Sequence, residues 1–206
     1  RAMRNGIIVT VLFACLIGSA LLFYAGWELI IVGLLCVLFA FLYTTGPYPL
    51  SYNGWGDVLV IVFFGFVPVG GTYYVQALTW TSDTTVASLI CGLLIDTLLV
   101  VNNYRDREAD ARSGKRTVIV RFGEKFGRYL YLMLGVAASL LCFWFFFEGH
   151  LFAALLPLLY LIPHVLTWRR MVQIHSGKKL NSILGETSRN MLLMGILLSI
   201  GFLIRH

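Results

Sequence analysis

Residues 102–117 read NNYRDREADARSGKRT and follow at once on the apolar run LICGLLIDTLLVV. Asp106 and Asp110 stand four apart here, preceded by Asn102 and Asn103 and interleaved with five basic residues. At about 100° per residue, a helix continued through this stretch brings Asp96, Leu99, Asn103, Asp106 and Asp110 into an arc of roughly 80°. Asp96 then lies about 15 Å along the axis from Asp106, within apolar sequence, where a carboxylate facing lipid is costly and must turn into the protein. Two like charges at i, i+4 mildly destabilise a bare helix, and become favourable once a divalent cation sits between them. Carboxylates with an amide are hard oxygen donors that suit Mg²⁺, whose shell is completed by water and substrate phosphates. The expected metal donors are Asp106, Asp110 and Asn103. Arg105, Lys115 and Arg116 stand near enough to hold the same anion, so the set is expected to bind a diphosphate through metal and cations together, with Asn102, Asn103 and Asp96 on the substrate side. A charge run alone is more often a solvated loop whose acids balance its bases. The alignment on one face, the paired asparagines and the intramembrane Asp96 weigh against that.

The elements that must position these residues follow from composition. Of 206 residues, 59% are hydrophobic and 13% charged, and the mean hydropathy is +0.82, far from the roughly 25% charge of soluble domains. Crossing the hydrocarbon takes about 20 mostly apolar residues, and seven such stretches occur, near 6–25, 28–45, 58–78, 85–102, 129–148, 151–168 and 187–204. They are continuous rather than alternating, which excludes a β-barrel. The expected fold is all-α: a polytopic transmembrane helix bundle of about seven helices, with residues 1–206 forming one transmembrane domain. The net charge of +6 is not spread as a nucleic-acid surface. With a cytoplasmic amino terminus, Arg1, Arg4, the 103–128 segment with its eight Lys/Arg, and Arg169, Arg170, Lys178, Lys179 and Arg189 fall on one side, and Arg205 alone on the other. This is the positive-inside pattern of an inner-membrane protein with its polar site towards the cytoplasm.

Other residues invite weaker readings. Cys15, Cys36, Cys91 and Cys142 lie in apolar spans without ligand spacing and read as packing residues. TTGPYPLSYNGWGD, residues 44–57, cannot be helical throughout, and FGFVPVGGT, 64–72, permits a kink and close helix contact. Tyr43, Tyr48 and Tyr52 could shelter a cation with their ring faces or simply anchor the membrane interface. His164 and His175 lack a third ligand nearby, and Glu186 with Arg189 reads as an i, i+3 ion pair.

Asn-Asn-x-Arg-Asp-x-x-x-Asp at 102–110, then Gly-Lys-x-Thr at 114–117 and Arg-x-Gly at 121–123, resembles the second aspartate-rich motif of UbiA-type intramembrane prenyltransferases. More narrowly, the chain is similar to the dihydroxynaphthoate polyprenyltransferases of menaquinone biosynthesis. The earlier loop agrees: Tyr43-Thr44, Gly46-Pro47, Tyr52-x-Gly54-x-Gly56-Asp57, and Gly71-Thr72 before Tyr73-Tyr74. The resemblance implies Mg²⁺ as cofactor, polyprenyl diphosphate as donor, dihydroxynaphthoate as aromatic acceptor, and the lipid bilayer as the medium, with no role for nucleic acid. It also implies Asp106 and Asp110 as catalytic metal ligands and Tyr43, Tyr48 and Tyr52 beside the allylic cation. Hydroxybenzoate, homogentisate and porphyrin enzymes share the architecture, so the acceptor stays open. A first Asn-Asp-x-x-x-Asp motif expected of the family does not occur, and the opening RAMRN has no initiator Met, so the expectation is a domain lacking its first two helices. A secondary transporter would want paired broken helices, and a membrane phosphotransferase its Asp-Gly-x-x-Ala-Arg signature; neither is found.

Overall fold

The computed structural model describes residues 2–204. Arg1 and Arg205, which entered the charge reading, and His206 lie outside the described residues. Six helices are long and apolar enough to cross a membrane: α1 (Ala2–Phe23), α3 (Gly56–Ala77), α4 (Ser82–Arg112), α6 (Glu124–Phe147), α7 (Leu151–Ile174) and α8 (Leu180–Leu203). The expected seventh is the shorter apolar helix α2 (Glu28–Thr44), and α5 (Val118–Phe122) is a single turn and a half between α4 and α6. Among the described residues there is no strand.

The helix α4 is the axis of the bundle. Its first turn is capped by Thr81, whose hydroxyl accepts from the Thr84 amide at 3.1 Å. It packs against α3, α5, α6 and α8, and Ile90, Val100, Val101 and Tyr104 are wholly buried along it. Two cores flank it. One gathers Tyr104, Ile119, Tyr131, Met171 and Ile183 towards the polar end of the bundle, the other Ile90, Phe145, Tyr160 and Met194 towards the opposite end. The α3–α4 contact is backbone to backbone: a Cβ on Gly92 would meet Ile61 O at 2.9 Å, and one on Gly65 would meet Gly92 Cα at 2.7 Å. Small residues at a helix crossing permit this approach in lipid, where no hydrophobic force joins apolar helices. Within α3, Ile61–Gly70 is wound as a π-helix with Pro68 inside it, a wider turn that accommodates a residue without an amide proton.

Several boundaries differ from those expected, for one reason. α4 runs on to Arg112, α6 begins at Glu124 rather than 129, and α8 begins at Leu180 rather than 187. The segment 103–128 is therefore largely helical, not a loop. Apolar runs end where polar residues begin, but Glu186, Thr187 and Asn190 are buried polar residues inside α8, satisfied by neighbouring helices. Glu186 does not pair with Arg189: its carboxylate takes Arg170 of α7 at 2.7 Å, and Asn190 donates to Thr167 at 2.9 Å. An interhelical partner won over the intrahelical one.

α1 has no buried residue among those described and rests on α2. Between α1, α2 and α3 opens an apolar groove of about 690 Å³, lined by residues such as Cys15, Ile30, Cys36, Val67 and Thr72. The segments 45–55 and 113–117 meet at one end of the bundle, where Arg116 N donates to Tyr52 O and Arg121 to Asn53 O, and Arg128 of α6 meets His175 after α7. At the other end, Trp144 donates to Asp83 at 2.8 Å.

Candidate functional site

The long continuation of α4 carries the expected ladder. Its 31 residues span about 46 Å at 1.5 Å per residue, half again the hydrocarbon thickness. The last three turns therefore stand clear of the apolar core, with Asn102, Asn103, Asp106 and Asp110 at the polar end.

Asp106 and Asp110 each have a basic partner. Arg105 grips Asp106 through both carboxylate oxygens, Nε to Oδ1 at 2.7 Å and Nη2 to Oδ2 at 2.6 Å. The same guanidinium donates to Asn102 Oδ1 at 2.8 Å and, from its other nitrogen, to Asn181 Oδ1 of α8 at 2.9 Å. Lys115 Nζ pairs with Asp110 Oδ2 at 3.4 Å, and the Lys115 amide donates to the Asp110 carbonyl at 2.9 Å. The polar residues thus neutralise one another in this state, with Asp106 left 39% exposed on its outer side. The Arg116 side chain is exposed, and its backbone does the structural work: Arg116 N donates to Tyr52 O at 2.8 Å.

That bond belongs to a seam. The loop 45–55 folds over the end of α4, with Ser51 Oγ donating to Tyr43 O at 2.6 Å and Arg121 Nη2 to Asn53 O at 2.6 Å. Gly54 sits at the closest approach with φ +80, and a Cβ there would lie 3.0 Å from Arg116 O. Under the seam lies a narrow cleft of about 10 Å³ lined by Tyr43, Ser51, Gly54, Gly56, Asp57, Asn103, Lys115 and Thr117. Of the three expected tyrosines, only Tyr43 lines it; Tyr48 and Tyr52 are 56% and 43% exposed on the outer face of the loop. Asn103 is almost wholly buried. Asp96, as expected, turns into the bundle and is 1% exposed.

Two features escaped sequence reading. Glu124 at the start of α6 accepts from Arg107 at 3.2 Å, from Tyr104 Oη at 3.1 Å and from Arg128, and lies 2.8 Å from His175 Nδ1. This knot ties α4, α6 and the α7–α8 turn together, through partners up to 71 residues apart that no local spacing reveals. The second is Asp57, at the start of α3, which brings another carboxylate to the cleft. The doublet Gly56-Asp57 was visible as part of a motif, but its proximity to Asp96 was not.

The donor chemistry suits a hard divalent cation. Asp106 and Asp110 offer two carboxylates on one helical face, and a cation bridging to phosphate needs only one or two of them, with waters filling the rest. Among the described residues no group of three or more His, Cys, Asp or Glu side chains is placed to hold a metal.

A bundle of apolar helices with an acid-and-amide ladder at one polar end is the architecture of a polytopic membrane protein. The chain belongs to the UbiA prenyltransferase family, whose model matches residues 2–200. It is 36% identical over 218 residues to a 1,4-dihydroxy-2-naphthoate octaprenyltransferase of Haemophilus influenzae, covering 99% of this chain and 68% of that protein. It is 38% identical over 148 residues to the Escherichia coli enzyme of the same name, covering 69% of this chain and 48% of that one. A UbiA prenyltransferase domain-containing protein 1 of Dictyostelium discoideum is 30% identical over 162 residues, 79% of this chain and 48% of that protein. No solved structure matches the chain.

Proposed function

We propose that this protein transfers a polyprenyl group from polyprenyl diphosphate to 1,4-dihydroxy-2-naphthoate at the cytoplasmic side of the bacterial inner membrane, releasing diphosphate and CO₂ and yielding demethylmenaquinol, the hydroquinone form of demethylmenaquinone. Similarity to named enzymes of that activity across 99% of the chain supports the acceptor. The observation that carries the chemistry is the α4 ladder, with Asp106 and Asp110 one turn apart where the helix leaves the apolar region.

Asp106, Asp110 and the amide oxygen of Asn103 would hold Mg²⁺, which supplies charge neutralisation of the diphosphate leaving group so that the allylic carbon–oxygen bond can ionise. The chain's own residues do the rest. Arg105 and Lys115 release their carboxylates and turn to the phosphate oxygens, exchanging one anion for another at little electrostatic cost. Arg116, exposed beside them, adds a third cation. Asn102 and Asn103 orient the headgroup, while the 45–55 loop, docked by Arg116 and Arg121, keeps water from the cation that forms. Tyr43 offers the ring face nearest that point; Tyr48 and Tyr52 would need the loop to turn inward. The isoprenoid tail, worth about 0.8 kcal/mol for each buried CH₂, lies in the apolar groove between α1, α2 and α3.

The test is Asp106→Asn and Asp110→Asn in protein expressed from its whole reading frame. Each is expected to lower transfer at least a hundredfold, about 3 kcal/mol of barrier, with insertion and thermal midpoint nearly unchanged because the partly exposed ion pairs contribute little to stability. Full turnover in chelator with no divalent cation would refute the reading.

A further inference from the structure

The guanidinium of Arg105 is held on three sides. It grips both carboxylate oxygens of Asp106, Nε to Oδ1 at 2.7 Å and Nη2 to Oδ2 at 2.6 Å. Nη2 also donates to Asn102 Oδ1 at 2.8 Å, and Nη1 to Asn181 Oδ1 at 2.9 Å. Asp106 and Asn102 belong to its own helix, whereas Asn181 comes from the first turn of α8. Lys115 holds Asp110 more loosely, by a single contact at 3.4 Å. The side chain of Asn181 is exposed, but the turn that carries it is fixed. Leu180 and Ile183 beside it are wholly buried in the same core as Val100, Val101 and Tyr104 of α4. Further along α8, Glu186 takes Arg170 at 2.7 Å and the Thr187 hydroxyl meets Tyr131 Oη at 3.0 Å. Asn181 is thus a stationary acceptor, set opposite the one arginine that covers Asp106.

A two-toothed arginine–carboxylate contact is among the strong charge-assisted pairs, and the guanidinium keeps its charge at any physiological pH. The Asp106 side chain is 39% exposed, so a divalent cation can reach it. What opposes the cation is charge: arriving alone, it meets a guanidinium already seated on the carboxylate it needs. A diphosphate changes the balance by offering Arg105 another anion. A ligand shifts such an equilibrium by the difference in its affinity for the two states, and a diphosphate favours the state in which Arg105 has let go. Resting on the transferase reading above, we propose that Arg105 is a resident cation that bars divalent metal from Asp106 until a diphosphate draws it away, and that Asn181 is the positioning residue that sets the strength of the bar.

Metal and diphosphate then load together rather than one after the other. No covalent bond changes in the exchange, and no charge is stranded: the guanidinium passes from carboxylate to phosphate oxygen as a divalent cation takes its place on Asp106. The Asn181 bond is made only while Arg105 is seated, so it opposes release and favours return once the diphosphate has gone. Without Asn181, Arg105 still reaches Asp106, with Asn102 alone to steady it.

The experiment measures Mn²⁺ binding by water-proton relaxation, on protein expressed from its whole reading frame, in detergent and without phosphate. Wild type is compared with Asn181→Leu, which removes the acceptor at nearly constant volume, and with Arg105→Gln. Coupling between two ligands is typically about 5–150-fold. Asn181→Leu should therefore bind Mn²⁺ about three- to tenfold more tightly than wild type, and Arg105→Gln about tenfold or more, with the gain cancelled when Asp106→Asn is added to either. Mere disordering of the first turn of α8 gives no such gain. A second measurement is the affinity for a prenyl thiodiphosphate, a slowly ionising donor analogue, at saturating Mg²⁺. It should stay within about twofold in Asn181→Leu and fall about tenfold or more in Arg105→Gln, which has lost its hold on phosphate. Unchanged or weaker Mn²⁺ binding in Asn181→Leu, a gain that survives Asp106→Asn, or thiodiphosphate affinity that follows Asn181 and not Arg105 would each overturn the proposal. If Asn181→Leu does not insert, Asn181→Ala carries the same expectation. Wild type that binds no prenyl thiodiphosphate with Mg²⁺ would overturn the transferase reading itself; wild type that binds it, with Mn²⁺ affinity indifferent to Asn181, would overturn this inference alone.

Discussion

Gly54 gives the sharpest test of the seam that closes the site. Its φ of +80 places it in the left-handed region, and an added Cβ would stand 3.0 Å from Arg116 O and 3.3 Å from the Arg121 guanidinium carbon. Gly54→Ala incurs about 1–2 kcal/mol for the backbone conformation alone. Relief of the contact requires the loop to lift, which breaks Arg116 N→Tyr52 O and Arg121 Nη2→Asn53 O, each worth about 1 kcal/mol net. Docking of the loop should therefore weaken by about 1–2 kcal/mol, roughly five- to thirtyfold in population. Hydrogen exchange by mass spectrometry should show the Arg116 amide and the 50–56 segment exchanging much faster, with transfer falling at least tenfold and prenyl alcohol from hydrolysis rising as water reaches the site. Gly195→Ala is the control, since nothing lies within 4 Å of its Cβ position; it should leave both readouts unchanged. If Gly54→Ala keeps native exchange at Arg116 and full transfer, the loop does not close the site and the reasoning fails.

Two further outcomes follow from the charged groups. A cysteine at Ser113 should be shielded from an impermeant thiol reagent in intact cells and one at Glu148 should react; the reverse pattern would overturn the orientation proposed from charge. Glu124→Gln leaves Arg107 and Arg128 sharing a neutral acceptor, and should lower stability by about 1–2 kcal/mol after discounting for partial exposure, or about 2–8 °C in thermal midpoint. An unshifted midpoint would mean that the knot at the start of α6 contributes nothing.

The helical architecture was legible because lipid leaves so few alternatives, and the face shared by Asp96, Asn103, Asp106 and Asp110 was legible because it depends only on helical period. What escaped was everything set by partners distant in sequence. Glu186 looked paired within its own helix, yet Arg170 reaches it from α7. Arg105 looked free to bind an anion, and instead clamps Asp106 while reaching Asn181. Helix ends were misjudged wherever buried polar residues interrupted the apolar run, as at the start of α8. The three tyrosines were indistinguishable in sequence because their spacing does not show that Tyr43 belongs to the last turn of α2 while Tyr48 and Tyr52 belong to the segment that follows; only Tyr43 lines the cleft.

The length of α4 has a mechanical consequence. Acids at the headgroup level and Asp96 at depth stand on one unbroken rod of 31 residues, so the axial spacing between them is a ruler that no loop motion can stretch. A bilayer that thickens or thins can tilt the rod, but it carries both marks together. The depth of Asp96 below the acids at the polar end is thus graduated by covalent geometry, independent of the thickness of the surrounding membrane.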